Sequence, residues 1–468
     1  MRTALPANED IGEGGALQPA TAAVPAREGD GGDPGLRKAV LGSMAGTAIE
    51  WYDFLVYSTA SGLVFGKIFF PEGDPWFATL SAFVTVAVGF VARPVGAVVL
   101  GYYGDVLGRK RVLQMTLLII GLSTFLVGCL PTYQSIGIAA PIALIILRFA
   151  QGFAIGGEWG GATLLVAERA PDHRRGFYTT LAGSATAVGN IAGVLVLLLL
   201  SSAMAKEDFL SWGWRIAFWL SVVIVAVGAY VRRQVEESAI FQEASRRNDE
   251  ARLKQGSLIE VIRGYPRELL VGITARLGEN TIFGITSIFT VSYLNQQVGL
   301  SSSEVLFVTF VASVTTVIPV IGAGWLADRF GRRPVFLTGA IALLLWSPFY
   351  FPLLDTGRFW IIMAVMTFAF WAQALCIAVQ SSMLPELFPT RLRYIASGFA
   401  YHATSIAAGS VAPIIAVWLL SRFGSTTPII LYMMAALCVS IFGVGALYRR
   451  PASYSLRAID EADLRKAG

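Results

Sequence analysis

Charge is what this sequence has least of. Lys, Arg, Asp and Glu make up only 14% of its 468 residues, against about 25% in an ordinary soluble domain. With 55% hydrophobic residues and a mean hydropathy of +0.63, a soluble globular protein is excluded. Cysteine and histidine are also scarce. Cys129, Cys376 and Cys438 fall in separate apolar segments, which gives no disulfide framework and implies reduced thiols. His173, in a loop, and His402, in an apolar span, have no metal-ligand spacing. The glycine-rich runs lack the preceding strand and the Lys-Ser/Thr of a phosphate loop, so no nucleotide site, metal, cofactor or enzymatic activity is expected. Residues 1–35 carry neither the basic start nor the apolar run of a signal peptide and read as a disordered cytoplasmic tail. The net charge of +5 does not imply nucleic acid, because most basic residues sit in short loops between apolar spans.

Apolar stretches are what the chain has in quantity. Stretches of about twenty residues or more, enough to cross a bilayer, fall near 39–66, 77–103, 112–130, 141–167, 176–203 and 213–232. Six more fall near 268–294, 303–327, 334–354, 359–385, 394–420 and 427–448. The expected fold is therefore all-α and integral to the membrane. Twelve spans form two six-helix halves, 36–232 and 267–448, joined by a central cytoplasmic loop at 233–266 and followed by a tail at 449–468. Alternate loops carry the positive charge: Arg109, Lys110 and Arg111, then Arg169, Arg174 and Arg175, then Arg329, Arg332 and Arg333, then Arg391 and Arg393. The positive-inside rule places both termini and the central loop in the cytoplasm.

The halves repeat each other. GYYGDVLGRKR at 101–111 recurs as GWLADRFGRRP at 324–334, each linking the second and third span of its half. ERAPDHRRG at 168–176 recurs as ELFPTRLRY at 386–394, each linking the fourth and fifth. Two matches at similar offsets argue for duplication.

With these motifs in view, the chain resembles the major facilitator superfamily, whose loop signature is complete in Gly324, Asp328, Arg329, Gly331, Arg332 and Arg333. The first copy, with Gly101, Asp105, Gly108, Arg109 and Lys110, departs only at Val106 in a basic slot. The glycines permit tight helix contact, and the Asp and basic residues can bridge helix ends across a cytoplasmic gate. GTAIEWYDFLVY at 46–57, ARPVG at 92–96, RFAQGFAIGGEWGGA at 148–162 and WGWRIAF at 212–218 resemble the metabolite:proton symporter family. That family includes shikimate, α-ketoglutarate, citrate and proline/betaine carriers. RLGEN at 276–280 and WLADRFGRRPVFLTG at 325–339 look most like its shikimate-type branch, whereas His402 departs from the pattern.

Charges that persist inside a membrane mark the candidate site, because each costs roughly 2.5–3.5 kcal/mol at the bilayer centre. Glu50 lies about eleven residues into the first span, or roughly 16 Å, and Asp53 and Tyr57 share its face. Paired carboxylates in such a site suit reversible protonation, while the competing reading holds them as permanent anions beside Arg93 or Arg148. Arg93, followed by Pro94, offers a planar grip for a carboxylate, or serves as partner to those acids. Arg148 with Gln151 matches the superfamily's fourth-span motif, which the resemblance associates with proton transfer; Glu158 lies deeper on the same helix. Arg276, Glu279 and Asn280 hold the corresponding place in the seventh span, where an Arg276–Glu279 pair is the simpler alternative. Trp51, Tyr52, Trp159, Trp371 and Gln373 are candidate lining residues, or packing and interface anchors.

The expected function is proton-coupled uptake of a small carboxylated metabolite by alternating access, in a monomer of the inner membrane. Glu50, Asp53, Arg148, Glu158 and Glu279 would carry the coupling. The alternatives are a zwitterionic osmolyte such as proline or betaine, or export of a drug or metabolite.

Overall fold

The computed structural model describes residues 34–70, 75–107, 109–233 and 258–448, with 456 and 459. Most of the expected N-terminal tail, central loop and C-terminal tail lies outside them, as does Gly108. Among the described residues the regular structure is helical, with no strand.

Twelve spans follow in order. The first half holds α1 (Pro34–Ala60), α2 (Pro75–Leu107), α3 (Arg109–Cys129) and α4 (Ala139–Ala167). It continues with α5 (Arg175–Gly183, then Ala185–Ala203) and α6 (Trp214–Trp219, then Ser221–Arg233). The second half holds α7 (Pro266–Phe283, running on through Gly284–Phe289 to Tyr293), α8 (Ser302–Phe330), α9 (Arg332–Leu354) and α10 (Phe359–Met383). It closes with α11 (Thr390–Thr404, then Ser405–Ser410 and Val411–Phe423) and α12 (Thr427–Phe442). The elements fall within a few residues of the apolar stretches in the sequence.

Nine of the described helices are long and apolar enough to cross a membrane. α1, α7 and α11 fall outside that set, α1 and α7 for the charges they carry and α11 because its apolar segment, Val411–Phe423, is short. α1 carries Glu50 and Asp53, α7 carries Arg276 and Glu279, and α11 carries His402 beside Thr404 and Ser405. α7 and α11 also widen into π-helical turns at Gly284–Phe289 and Ser405–Ser410, directly after those polar residues. Single π turns inside α-helices collect at functional sites.

Two kinds of contact hold the helices at the site. Within the first half, α2 and α4 cross at backbone distance. A Cβ on Gly96 would lie 1.8 Å from the Phe153 carbonyl oxygen, one on Gly152 2.0 Å from that of Gly89, and one on Gly156 1.9 Å from that of Arg93. Small residues at such crossings let dispersion and backbone contacts replace a hydrophobic driving force that lipid does not supply. The crossing sets Arg93 opposite Gly156 and lays the Arg148 side chain against Gly89. Between the halves, a Cβ on Gly324 of α8 would lie 2.7 Å from Thr180 Oγ1, and one on Gly176 of α5 would lie 2.5 Å from Asp328 Oδ1. The signature glycine Gly324 is thus where the second half meets the first.

Candidate functional site

The buried acids of α1 turn to different partners. Asp53 Oδ2 lies 3.5 Å from Arg148 Nη1. Its Oδ1 accepts hydrogen bonds from Gln151 Nε2 at 2.9 Å and from the Thr124 hydroxyl. Gln151 in turn accepts from Arg148 at 3.2 Å, and the guanidinium lies over the Tyr57 ring at 4.1 Å. Glu50 faces Arg93 instead, at 4.0 Å, with the Arg93 guanidinium 4.4 Å from the Phe90 ring centroid. The sequence reading put both carboxylates on one shared face. They separate because two arginines are within reach and like charges lower their energy by taking one each.

The second half answers with a third buried pair. Arg276 Nη1 lies 2.5 Å from Glu279 Oε2, donates to Gln380 Oε1 at 3.2 Å and sits over Tyr401 at 3.7 Å. Gln373 donates to Glu279 Oε1 at 3.2 Å, and Asn280 reaches Ser405 at 3.5 Å. Glu50, Trp51, Phe54 and Arg93 from the first half then meet Arg276, Glu279, Asn280, Phe283 and Tyr401 from the second around one chamber. Its free space is about 10 Å³, enough for a single water. Trp51 closes on Phe283 edge to face at 5.3 Å. The arginines are folded onto the protein's own acids.

The other candidates fall elsewhere. The Tyr52 hydroxyl donates to the Ala217 carbonyl at 2.6 Å, which ties α1 to α6 away from the chamber. Trp371 is 44% exposed on the outer surface of α10. Glu158 is buried beyond the chamber on α4, and the side chain of Trp159 lies outside the described residues. Thr124, Phe283, Gln380 and Tyr401 were not picked out by the sequence. Their residue types are common in apolar spans, and only the helix crossings single them out.

At the end carrying the basic loops, the halves are locked by charge. Asp328 accepts from the Gly176 and Phe177 amides at 2.9 and 2.8 Å, which places an anion on the exposed N–H groups that open α5. Asp328 also pairs with Arg332 at 2.9 Å. Glu386 receives Arg332 at 3.0 Å and, from the other half, Arg175 at 3.4 Å. Burial holds the Glu386 carboxyl above its ordinary range, against the lowering pull of Arg332 and Arg175. The Tyr394 hydroxyl donates to the Gly157 carbonyl at 2.8 Å, a further tie between halves, and packs against Gly101. Among the described residues Arg329 and Arg333 take no part: Arg329 lies beside Trp325 and Phe330, and Arg333 reaches the Gly445 carbonyl. Gly331 makes the turn from α8 to α9 with φ of 97°. The side chains of Asp105, Arg109 and Lys110 lie outside the described residues. Arg175 and Glu386, which pair across the halves here, were not among the candidate site residues the sequence singled out, although both stand in the second repeated loop pair, where a basic and an acidic residue in each copy was the available signal.

Twelve spans in two facing halves, with buried charge between them and an ionic clasp at one end, define the class: a multi-pass membrane transporter. The model described as "Sugar (and other) transporter" matches residues 38–258, and that described as "Major Facilitator Superfamily" matches 269–465. The chain is 39% identical over 406 residues to the shikimate transporter of Escherichia coli K12, covering 86% of this chain and 92% of that one. It is 38% identical over 392 residues to the inner membrane metabolite transport protein YhjE of the same organism, covering 83% and 88%. The proline/betaine transporter of E. coli K12 is 33% identical, covering 92% and 87%. Among solved structures, the proton:xylose symporter XylE bound to 6-bromo-6-deoxy-D-glucose superposes with a TM-score of 0.71 at 18% identity, covering 91% and 98%. The chain belongs to the major facilitator superfamily, in its metabolite:proton symporter family. It is a transporter and not an enzyme.

Proposed function

We propose that the protein takes up a small carboxylated metabolite together with a proton, by alternating exposure of the central chamber to the two sides of the inner membrane. The observation that carries this reading is the pair of arginines facing one chamber from opposite halves, each closed on a carboxylate, Arg93 on Glu50 and Arg276 on Glu279. An incoming carboxylate can replace an internal acid as partner, and the displaced acid, left buried without a counter-charge, takes up a proton. Solute and proton binding then favour each other. Proton coupling in XylE and a shikimate-carrying relative support the reading. Both termini and the 233–266 loop are cytoplasmic in this scheme, residues 36–232 and 267–448 are the rocking halves, and the clasp at Glu386 is the cytoplasmic gate. The working unit is a monomer.

Arg93→Lys tests the grip. Lysine keeps the charge but loses the planar fork, so removal of one of two parallel charged hydrogen bonds is expected to weaken affinity roughly tenfold. The measurement is the concentration dependence of uptake and of solute exchange in proteoliposomes. Unchanged affinity in both would mean that Arg93 only neutralises Glu50.

A further inference from the structure

Beside the collapsed charged chamber lies a roomier cavity of about 100 Å³, and Trp51, Phe283 and Tyr401 belong to the walls of both. Its chemistry differs from that of the chamber. No charged side chain lines it among the described residues, whereas hydroxyl and amide groups do, from both halves. Three of them stand out. Asn190 on α5, Ser287 in the π turn of α7 and Ser313 on α8 are each more than nine-tenths buried. Asn190 Oδ1, Ser287 Oγ and Ser313 Oγ make no hydrogen bond among the described residues. A buried polar atom without a partner is unfavourable, and side chains of this kind are normally satisfied. Three around one cavity, drawn from both halves, point to a polar ligand group that meets them there.

We infer that Asn190, Ser287 and Ser313 form a hydroxyl-recognising subsite, so that the transported acid is a hydroxylated one, with its carboxylate at Arg93 and Arg276 and its hydroxyl-bearing body in the neighbouring cavity. This rests on the carboxylate reading above. The shared wall of Trp51, Phe283 and Tyr401 supplies apolar faces for the carbon skeleton between the two ends. A dicarboxylate is disfavoured because its second charge would enter a space with no cation to pair it. A quaternary ammonium group would leave the three oxygens unpartnered, since it donates no N–H or O–H hydrogen bond.

Calorimetric titration of the purified protein with four probes tests the inference. They are shikimate, a ring acid with three hydroxyls; 1-cyclohexene-1-carboxylate, the same ring without them; succinate; and glycine betaine. The wild-type protein is expected to hold shikimate at least about tenfold more tightly than the bare ring acid, because a site built to bond hydroxyls rejects analogues that lack them. Asn190→Ala and Ser287→Ala are each expected to narrow that ratio by roughly three- to tenfold. Equal binding of the two ring acids, tighter binding of succinate, or a ratio unmoved in both variants would overturn the inference and leave the carboxylate reading standing. Binding of glycine betaine alone would overturn the inference, and binding of no probe would overturn both. The comparison of ligands on the wild-type protein decides the matter even if a variant fails to fold.

Discussion

Replacement of Glu50 by glutamine, or of Asp53 by asparagine, is expected to reduce gradient-driven uptake to background while leaving measurable exchange of solute across membranes without a gradient. Exchange returns the loaded carrier to the side it came from and need not release the proton, whereas accumulation must release it on every turn. The structure gives each acid its own reason for sensitivity. Glu50 is held only at 4.0 Å by Arg93, at the wall of the chamber, so solute at the arginine acts on it directly. Asp53 lies within a tighter set of Arg148, Gln151 and Thr124, all of which donate to or pair with the charged form. Asparagine there would present an amide N–H₂ to groups arranged as donors, which leaves buried atoms unsatisfied. The check is parallel uptake and exchange in proteoliposomes. Normal accumulation by both variants would mean that neither acid carries the coupling proton.

Neutralising the clasp should slow the carrier without blinding it to solute. Asp328→Asn removes the anion from the start of α5 and from Arg332, and Glu386→Gln leaves Arg175 and Arg332 facing each other without the carboxylate between them. Each loses charge-assisted hydrogen bonds worth roughly 1.5–3 kcal/mol, so the state closed at this end loses population by roughly tenfold or more. Turnover at saturating solute is expected to fall by a similar factor, with equilibrium affinity changed by less than about threefold. Stopped uptake assays give the first quantity and calorimetry the second. If either variant lost binding while remaining folded, the clasp would belong to the solute site and not to a gate.

How much of this could be read from the sequence differs by layer. Span positions were legible because a stretch of about twenty residues must be predominantly apolar to cross lipid, and that requirement acts on composition. Duplication was legible in the loops, where the repeated pattern of Gly324 and Asp328 marks contacts that the structure shows joining the halves. The rotation of each helix was not. α10 is apolar nearly all round, so nothing in its sequence said that Trp371 faces outward while Gln373, two residues on, reaches Glu279. Partner choice was hidden for a related reason. Whether Asp53 meets Arg93 or Arg148 depends on the crossing of α2 with α4, which is set by the contacts of Gly96, Gly152 and Gly156 with facing backbone. Glycines appear in the sequence as small residues, and only the crossing tells which backbone each one meets. Asn190, Ser287 and Ser313 were least visible, since isolated hydroxyls and amides in spans usually satisfy their own helix, as Thr309 and Ser347 do here.

The central claim is that solute and proton move together, and proton movement on solute addition tests it most directly. Proteoliposomes in weakly buffered medium, with no imposed gradient and membrane potential collapsed, receive the carboxylated solute that the purified protein binds, while a pH electrode follows the medium. The account predicts an immediate alkalinisation in step with labelled solute entry, absent in Glu50→Gln and Asp53→Asn. Labelled solute entering at full rate with external pH unchanged would contradict it.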